Sequence, residues 1–394
     1  MFKSGSLTIY TTQFWLLCCS SFLFFASFNM IVPELFSFIT SLGGADYIGL
    51  VISLFTITAM ISRPFSGKLA DRIGRKPVIM AGALVCFLCS LMYPLLTTVF
   101  GFFFLRLLHG FSTGFTPTGE AAYISDIIPA TRRGEAMGLM GTASSLGMAS
   151  GPAIGPWIST TYSIQTMFYC SSAFALLSAL IVINIKETVK EKHPISLRLF
   201  HVSKVDLFEP RVLTPCLVMV LCAYAYGSLF TLIANYGAYY GIPNENKGLL
   251  FTYFTMASLT VRLIAGRTSD IYGRVRVLRV STVIITIAMI WIAFAGSKAM
   301  LILGVFVYGM AQGSTSPTLL AWATDLSDPH HRGRGLASLY IFMELGIGIG
   351  AFCSGLIYVN NPLQFHIPFI VCSVFSAIAF IYLWTRPPQI AATV

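Results

Sequence analysis

The chain has 394 residues, of which 56% are hydrophobic and only 10% are charged, and its mean hydropathy is +0.78. A soluble domain carries about 25% charged residues, so this composition excludes a soluble globular protein and predicts an all-α membrane protein. The formal net charge of +10 would suit a nucleic-acid-binding protein, but the distribution of that charge argues against nucleic acid as a partner.

Apolar segments long enough to cross a bilayer, roughly 20 residues each, recur along the whole chain. We place twelve of them, at 12–32, 47–66, 77–97, 100–124, 136–158, 163–185, 212–240, 248–266, 277–296, 300–324, 335–358 and 364–385. Inside a bilayer every backbone N–H and C=O must be paired within the protein, so each segment is predicted to be a transmembrane helix. The first is as long as a full span and no small-residue cleavage site follows it, so we expect no cleavable signal peptide.

Basic residues lie in the two tails, in the even-numbered gaps and at the adjoining helix ends, whereas the opposite side holds only Lys247 and Lys298. This bias predicts that both termini are cytoplasmic. The net positive charge is therefore a topology signal. With no organellar targeting segment and with short loops, we expect a bacterial inner membrane.

An internal repeat divides the chain into two halves whose matching residues lie 199 positions apart. The pairs include Arg63 with Arg262, Gly67 with Gly266, Asp71 with Asp270, Gly74 with Gly273, Arg75 with Arg274, Gly110 with Gly309, Asp126 with Asp325, Gly147 with Gly346 and Gly151 with Gly350. A repeat of this size is typical of transporters with the substrate site between the halves. We predict two pseudo-symmetric six-helix bundles at 1–185 and 212–394, joined by a cytosolic linker at 186–211 with a short surface helix around 195–207.

A charged loop occurs once in each half. Glycines in it permit close approach and a tight turn, and its aspartate can accept hydrogen bonds from a helix N-terminus or an arginine. The residues concerned are Gly67, Asp71, Arg72, Gly74 and Arg75 in the first copy, and Gly266, Asp270 and Arg274 in the second. The loop closely resembles the loop motif of the major facilitator superfamily. That resemblance implies a charge network that latches the cytosolic side. The alternative is a turn that serves only topology and folding.

The fifth span carries a glycine and proline pattern formed by Gly138, Gly147, Gly151, Pro152 and Gly155. It resembles the antiporter motif of the same family, except that Pro156 stands where the family has a final glycine. The corresponding span of the second half has Ala351 for Pro152 and Ser354 for Gly155, so the full pattern belongs to the first half. The resemblance implies a proton-driven exporter, and the alternative is ordinary helix packing.

The fourth span begins with a stretch, Leu105 to Gly110, that resembles the family's arginine motif, with His109 where glutamine is common. At about 100° per residue, Arg106, His109, Thr113, Pro117 and Glu120 fall within roughly 60° of one another and form one polar stripe. A charge inside a membrane costs about 2.5–3.5 kcal/mol or more, which makes Arg106 a functional candidate.

The resemblance implies that helices 1, 4, 7 and 10 line the central cavity, and polar or aromatic faces occur on those four helices. The predicted cavity residues are Phe25, Asn29, Arg106, Thr113, Tyr224, Ser228, Asn235, Tyr236, Tyr308 and Gln312. Such a surface suits an amphipathic or aromatic organic compound. Arg106 would contact an anionic group of the substrate or, alternatively, serve coupling.

Proton coupling needs a group that gains and loses a proton inside the membrane. We rank Glu120 first and Glu344 second, because their repeat partners, Leu319 and Ser145, are not acids. Arg106 and His109 are further candidates, with His109 as a proton relay. The alternatives are that Glu120 caps a polar loop, that Glu344 makes an interhelical hydrogen bond and that His109 is a packing residue.

No nucleotide-cradling loop, metal cluster or nucleophile triad is visible, so we expect neither an enzyme nor a cofactor. Cys86 and Cys89 form a CxxC, which we interpret as buried small residues. We predict a monomeric, proton-coupled exporter of small amphipathic compounds working by alternating access, with protons, substrate and the lipid bilayer as partners. Two alternatives stay open: an uptake symporter for a sugar or organic acid, and a membrane sensor that does not transport.

Overall fold

The computed structural model describes residues 10–129, 132–189, 208–327, 332–358 and 361–386. These residues form twelve long α-helices and no strand, which confirms the predicted all-α architecture. The helices are α1 Thr12–Ser41, α2 Ile48–Ile73, α3 Arg75–Met92, α4 Val99–Ile127, α5 Arg133–Thr161, α6 Ile164–Ile183, α7 Leu213–Tyr239, α8 Leu249–Tyr272, α9 Arg274–Ala293, α10 Lys298–Leu326, α11 Arg332–Tyr358 and α12 His366–Trp384.

Nine of the helices in the described part of the chain are long and apolar enough to cross a membrane. The other three are α4, α5 and α8, and all three are still 24 residues or longer. The sequences of these three helices are rich in glycine, serine and threonine. In α4 and α5, such small residues allow close packing against other helices, as described below.

Contacts divide the chain into two compact units. The first unit comprises residues 1–34 and 61–202, and the second comprises residues 35–60 and 203–394. The end of α1 and the first half of α2 thus belong to the second unit, where the Ser53 hydroxyl donates a hydrogen bond to the carbonyl of Gly348 in α11, 2.9 Å away. The division at 185 and 212 stays a prediction, and the predicted surface helix lies outside the described residues.

The repeat is visible in local structure as well as in sequence. Thr98 caps α4 by accepting from the Gly101 N–H, and Ser297, 199 positions later, caps α10 by accepting from the Met300 N–H. Gly74 and Gly273 make the same turn before α3 and α9, with φ of +120° and +89°. Only glycine adopts such angles without strain. The two halves therefore use the same devices to begin corresponding helices.

Candidate functional site

Glu120 is the centre of a small polar cluster that joins three helices of the first unit. Its side chain, on α4, has no exposed surface. Ser21 of α1 donates a hydrogen bond to Oε2 of Glu120 at 3.0 Å, and its hydroxyl lies 2.9 Å from that of Ser144 in α5. The other carboxylate oxygen, Oε1, has no hydrogen-bond partner among the described residues. An acid in this position is costly to ionise, so the cluster is suited to holding a proton.

The second half of the repeat lacks the residues of this cluster. The positions 199 residues after Glu120, Ser21 and Ser144 are occupied by Leu319, Val220 and Met343. All three members are replaced by apolar side chains of ordinary core type. Since features needed only for folding tend to recur in both halves, the loss of the whole trio indicates that it has a task of its own.

The glycines of α5 bring that helix against the backbone of α1, just beyond the cluster. A Cβ added at Gly147, Gly151 or Gly155 would lie 2.4, 2.6 or 2.1 Å from a carbonyl oxygen of α1. Gly138, by contrast, has open space around it. Glycine is thus required at the three inner positions of the pattern, where two helix backbones touch.

The same close packing exists in the second unit between α11 and α7. A Cβ at Gly346 would lie 2.5 Å from the carbonyl oxygen of Val220, and one at Gly350 would lie 2.1 Å from that of Tyr224. Close packing at these two positions is therefore a feature of both halves. What belongs to the first half alone is Pro152, Gly155 and the polar cluster beside them.

Arg106 and His109 lie in a second buried network, which is separate from Glu120. Arg106 donates to the hydroxyl of Tyr93, which lies 3.3 Å from Nδ1 of His109. The other ring nitrogen of His109 lies 3.4 Å from the sulfur of Cys86. Both helix 4 residues are almost completely buried, and their polar partners come from the end of α3 and the turn after it.

This network continues through hydroxyls into α1 and α6. The Cys86 sulfur lies 3.6 Å from the Ser27 hydroxyl, and Ser27 donates to the carbonyl of Ser171 at 2.7 Å. In the described part of the chain, no group of three or more His, Cys, Asp or Glu side chains is arranged to hold a metal ion. Arg106 and His109 thus contact the interior of the first unit, among α1, α3, α4 and α6.

The charged loop of the first half is tied to the ends of α4 and α6. Arg75 pairs with Asp71 one turn earlier, and its Nε donates to Asp126 of α4 at 3.1 Å. Glu187, after α6, accepts from the backbone N–H groups of Arg75 and Lys76 at 3.0 and 3.2 Å. Arg72 is exposed, and Gly67 has no close neighbour at the Cβ position.

The second copy of the loop repeats the arginine contacts. Arg274 pairs with Asp270 at 2.5 Å and with Asp325 at 3.0 Å. The position that matches Glu187 is Arg386, which donates to the Tyr382 hydroxyl at 2.8 Å. Gly266 lies within α8. The carboxylate that caps α3 has therefore become a basic residue at the corresponding place after α12.

Most predicted cavity residues already have partners within their own unit. Asn29 donates to the Phe25 carbonyl, Thr113 to that of Gly110 and Ser228 to that of Gly350. Tyr224 stacks on Phe375, and Asn235 hydrogen-bonds to Tyr358. The Tyr236 hydroxyl donates to the Ile292 carbonyl at 2.9 Å.

Tyr308 and Gln312 differ from the other predicted cavity residues. They lie one turn apart on α10, and the Tyr308 hydroxyl and Gln312 Oε1 are buried with no hydrogen-bond partner among the described residues. Buried polar atoms are nearly always paired. Among the predicted cavity residues, these two therefore have polar atoms left to hydrogen-bond a bound molecule.

Glu344 of α11 is buried in the second unit. Tyr226 of α7 lies within electrostatic reach of both Glu344 and Arg262, and Arg262 also interacts with Tyr340. Glu344 and Arg262 therefore share Tyr226 as a neighbour, whereas Glu120 has a serine as its hydrogen-bond partner.

Comparison with known proteins settles the family. A family model described as Major Facilitator Superfamily matches residues 17–244 and 216–393. The chain belongs to this superfamily. It is a multi-pass membrane protein of the transporter class, as its sequence motifs predicted.

Relatives of similar length are named as multidrug resistance proteins or as a multi-drug efflux pump. The chain is 27% identical to "Multidrug resistance protein 2" of Bacillus subtilis over 91% of each protein. It is 28% identical to the "Multi-drug resistance efflux pump PmrA" of Streptococcus pneumoniae over 84% of this chain and 85% of that one. It is 25% identical to "Multidrug resistance protein MdtG" of Escherichia fergusonii over 95% of each.

Solved structures share the fold at low identity. A D-xylose-proton symporter superposes with a TM-score of 0.81 at 15% identity, covering 97% of this chain and 99% of that one. The human organic anion transporter MFSD10 superposes with a TM-score of 0.75 at 17% identity, covering 95% of this chain and 100% of that one. Both confirm the fold of this superfamily.

Sequence reasoning found Glu120 but missed the residues that contact it. Ser21 and Ser144 are ordinary small residues in helices rich in serine, and no spacing rule links them. Their replacement by Val220 and Met343 at the matching positions was the available signal. Tyr93 and Glu187 were missed because they follow the ends of α3 and α6, whereas the predicted polar stripe contains only residues of α4.

Proposed function

We propose that this protein is a proton-coupled exporter of small amphipathic organic compounds, with Glu120 as the group that carries the proton. The observation that carries the proposal is the cluster of Glu120, Ser21 and Ser144, which is absent from the second half. Its relatives named for multidrug resistance, one of them as an efflux pump, and the glycine pattern of α5 support export over uptake. Tyr308 and Gln312 are proposed to contact the substrate.

The number of hydroxyl protons in the cluster limits which hydrogen bonds it can form in each protonation state. The Ser144 hydroxyl also donates to the Met140 carbonyl at 2.9 Å, and each serine has one proton to donate. With Glu120 protonated, Glu120 can donate to Ser21, Ser21 to Ser144 and Ser144 to the Met140 carbonyl, so that every donor is used. With Glu120 ionised, Ser21 must turn toward the carboxylate and can no longer donate to Ser144.

Protonation would therefore reverse the direction of hydrogen bonds between α4 and α5 through α1. Because α5 packs on α1 through glycine contacts, a change of this kind bears on an interface where the helix backbones touch. Alternating access needs two discrete arrangements that a bound proton favours to different extents. The hydrogen bonds among Glu120, Ser21 and Ser144 supply such a difference.

The charged loops are proposed to bias the two arrangements from the cytosolic side. Arg75 joins α3 to Asp71 of α2 and Asp126 of α4, so movement of any of these helices must break or re-form an ion pair. Both termini are proposed to be cytoplasmic and the membrane to be a bacterial inner membrane, on the distribution of basic residues. We expect the transporter to act as a monomer.

The proposal is tested with purified protein in proteoliposomes that carry an imposed pH gradient. Fluorescent amphipathic dyes of both charge signs are measured for flux against the proton gradient. We expect dye movement that collapses when a protonophore is added. Dye flux that is unaffected by the protonophore would exclude proton coupling, and flux of a sugar or organic acid with the proton would indicate the symporter instead.

A further inference from the structure

A groove lies on the surface of α8, α9 and α10 in the second half. It has a volume of about 670 Å³, and its lining includes Tyr272, Arg276, Val280, Ile284, Met310 and Ser314. A second groove of about 400 Å³ lies on the other side of α9, toward α12, and shares Arg276, Val280 and Ile284 with the first. The two grooves therefore flank one helix and meet at one arginine.

The repeat explains why the larger groove exists. The residue 199 positions before Ser314 is Phe115, which packs against the cluster of Leu69, Ala70 and Val78 and contacts Phe111. In the second half these two phenylalanines are replaced by Ser314 and Met310. Smaller side chains leave open the space that the aromatic rings occupy in the first half.

A second difference concerns the contact between neighbouring helices. Gly82 lets α3 approach α4 so closely that an added Cβ would lie 2.2 Å from the Thr116 hydroxyl oxygen. The matching residue in α9 is Ser281, whose hydroxyl donates to that of Ser314 at 3.0 Å. The two hydroxyls satisfy each other at the floor of the groove. What the groove presents to an occupant is therefore mainly apolar.

The position and charge of Arg276 indicate what kind of molecule fits. Arg276 is exposed in the first turn of α9, and no hydrogen bond or ion pair joins it to another of the residues that the structure describes. Its counterpart in the first half is Pro77. Arg279, in contrast, is already bound to the carbonyls at the end of α12 and lies over the Trp384 ring. Arg276 is thus the cation available to an anionic group.

The length of the groove matches one leaflet of a bilayer. From Arg276 to Ile284, α9 rises about 12 Å at 1.5 Å per residue. The hydrocarbon of one leaflet is about 15 Å thick, half of a core of about 30 Å. Val280, midway along the groove, is 61% exposed, as expected for a residue that faces acyl chains.

We infer that this surface binds an anionic phospholipid, with its phosphate at Arg276 and its acyl chains in the two apolar grooves on either side of α9. Basic residues at the cytosolic ends of membrane helices attract anionic headgroups in this way. The paired grooves fit the two chains of a diacyl lipid, and the single arginine fits one phosphate. At the matching positions the first half has Pro77 in place of the arginine and two phenylalanines in place of Ser314 and Met310.

The inference is tested by native mass spectrometry of the full chain in non-ionic detergent, titrated with phosphatidylglycerol or phosphatidylcholine. We expect one phosphatidylglycerol to be retained in preference to phosphatidylcholine. Arg276→Gln should weaken that binding about fivefold, the equivalent of about 1 kcal/mol for one basic residue near a headgroup. Ser314→Phe should remove the bound lipid by filling the larger groove. Arg72→Gln, which neutralises an exposed arginine of the first half, is the matched control for lipid binding and should leave the retention of phosphatidylglycerol unchanged.

Equal retention of the two lipids by the unchanged chain would overturn the inference, as would unchanged binding by Arg276→Gln. Displacement of the lipid by an exported dye at stoichiometric amounts would assign the groove to the transported compound instead. Should Ser314→Phe fail to fold, Arg276→Gln still decides, because it replaces an exposed side chain without altering packing. Dye export is measured separately, so failure of the exporter proposal leaves this test intact.

Discussion

The two halves of this transporter are most informative where the same position carries different chemistry. Close glycine packing, helix caps and arginine to aspartate pairs recur at an offset of 199. The cluster of Glu120, Ser21 and Ser144 and the buried network around His109 are not repeated at the matching positions of the second half. The groove residues Arg276, Ser314 and Met310 correspond to Pro77, Phe115 and Phe111. The shared features build the fold, whereas the unshared ones mark places where the halves have separate tasks.

The largest expected effect comes from removing Glu120, the proposed proton carrier. Glu120→Gln keeps the shape and the hydrogen bond to Ser21 but cannot ionise, so proton-driven dye export should fall by about 100-fold or more, as is usual when a proton-transferring group is lost. Dye binding should stay measurable. The assay is flux in proteoliposomes with a pH gradient.

Two control variants sharpen this test. Glu135→Gln neutralises an exposed acid at the start of α5 and should leave export unchanged. Glu344→Gln removes the second candidate acid, which is buried in the second unit. Loss of export in Glu344→Gln with full export in Glu120→Gln would place coupling in the second half and refute our assignment.

Substitutions at the close glycine contacts should destabilise the protein to the same extent in both halves. Gly151→Ala and Gly350→Ala each place a methyl group against a backbone carbonyl of the neighbouring helix, and we expect each to cost about 1–3 kcal/mol of stability. Gly138→Ala lies in open space and should be neutral or slightly stabilising, because alanine favours helix over glycine by about 1 kcal/mol. Thermal unfolding in detergent measures all three, and tolerance of Gly350→Ala would show that only the first half needs the close contact.

The charged loops should affect rate more than stability. Asp71 and Asp270 are largely exposed in their pairs with Arg75 and Arg274, so each pair contributes no more than about 1 kcal/mol. We expect Asp71→Asn to slow dye export about two- to fivefold, in line with a change of that size in a barrier, with an unchanged unfolding temperature. Asp270→Asn is the paired variant and should have a smaller effect. Full export rates in Asp71→Asn would exclude the latch.

The smallest effect concerns an exposed ion pair before α5. Hydrogen bonds from Arg132, followed by one from Tyr10, hold the pKa of Glu135 below its usual value. A depressed folded-state pKa gives stability above the unfolded pKa of about 4.3, and that stability is lost as pH falls through the lower folded value. The unfolding temperature of Glu135→Gln should therefore differ slightly from that of the unchanged chain at neutral pH and converge with it in acid. A constant difference across that range would contradict the assignment.

The matching residue in the second half carries the opposite charge. Arg334 donates to the buried carboxylate of Glu209, with Nε at 2.9 Å. Because Glu209 is buried, Glu209→Gln should destabilise the protein more than Glu135→Gln does, and thermal unfolding of the two variants side by side measures the difference.

The sequence by itself determined the membrane class, the twelve helices, the repeat and the family, because each of these follows from local composition or fixed spacing. Long apolar runs must become helices in a bilayer, and an offset of 199 is visible without coordinates. The choice of Glu120 as the leading acid also came from the repeat, through its pairing with Leu319.

Only the tertiary structure decided which side chains meet. Ser21, Ser144 and Glu120 lie on three helices and are up to 123 positions apart in sequence, so no local pattern brings them together. The partners of Arg106 and His109 in α3 and in the turn after it, and the groove left by Ser314 and Met310, likewise depend on how neighbouring helices pack. A helical stripe predicts which residues share a face, but the facing helix decides whether that face holds a proton, a neighbouring backbone or a lipid.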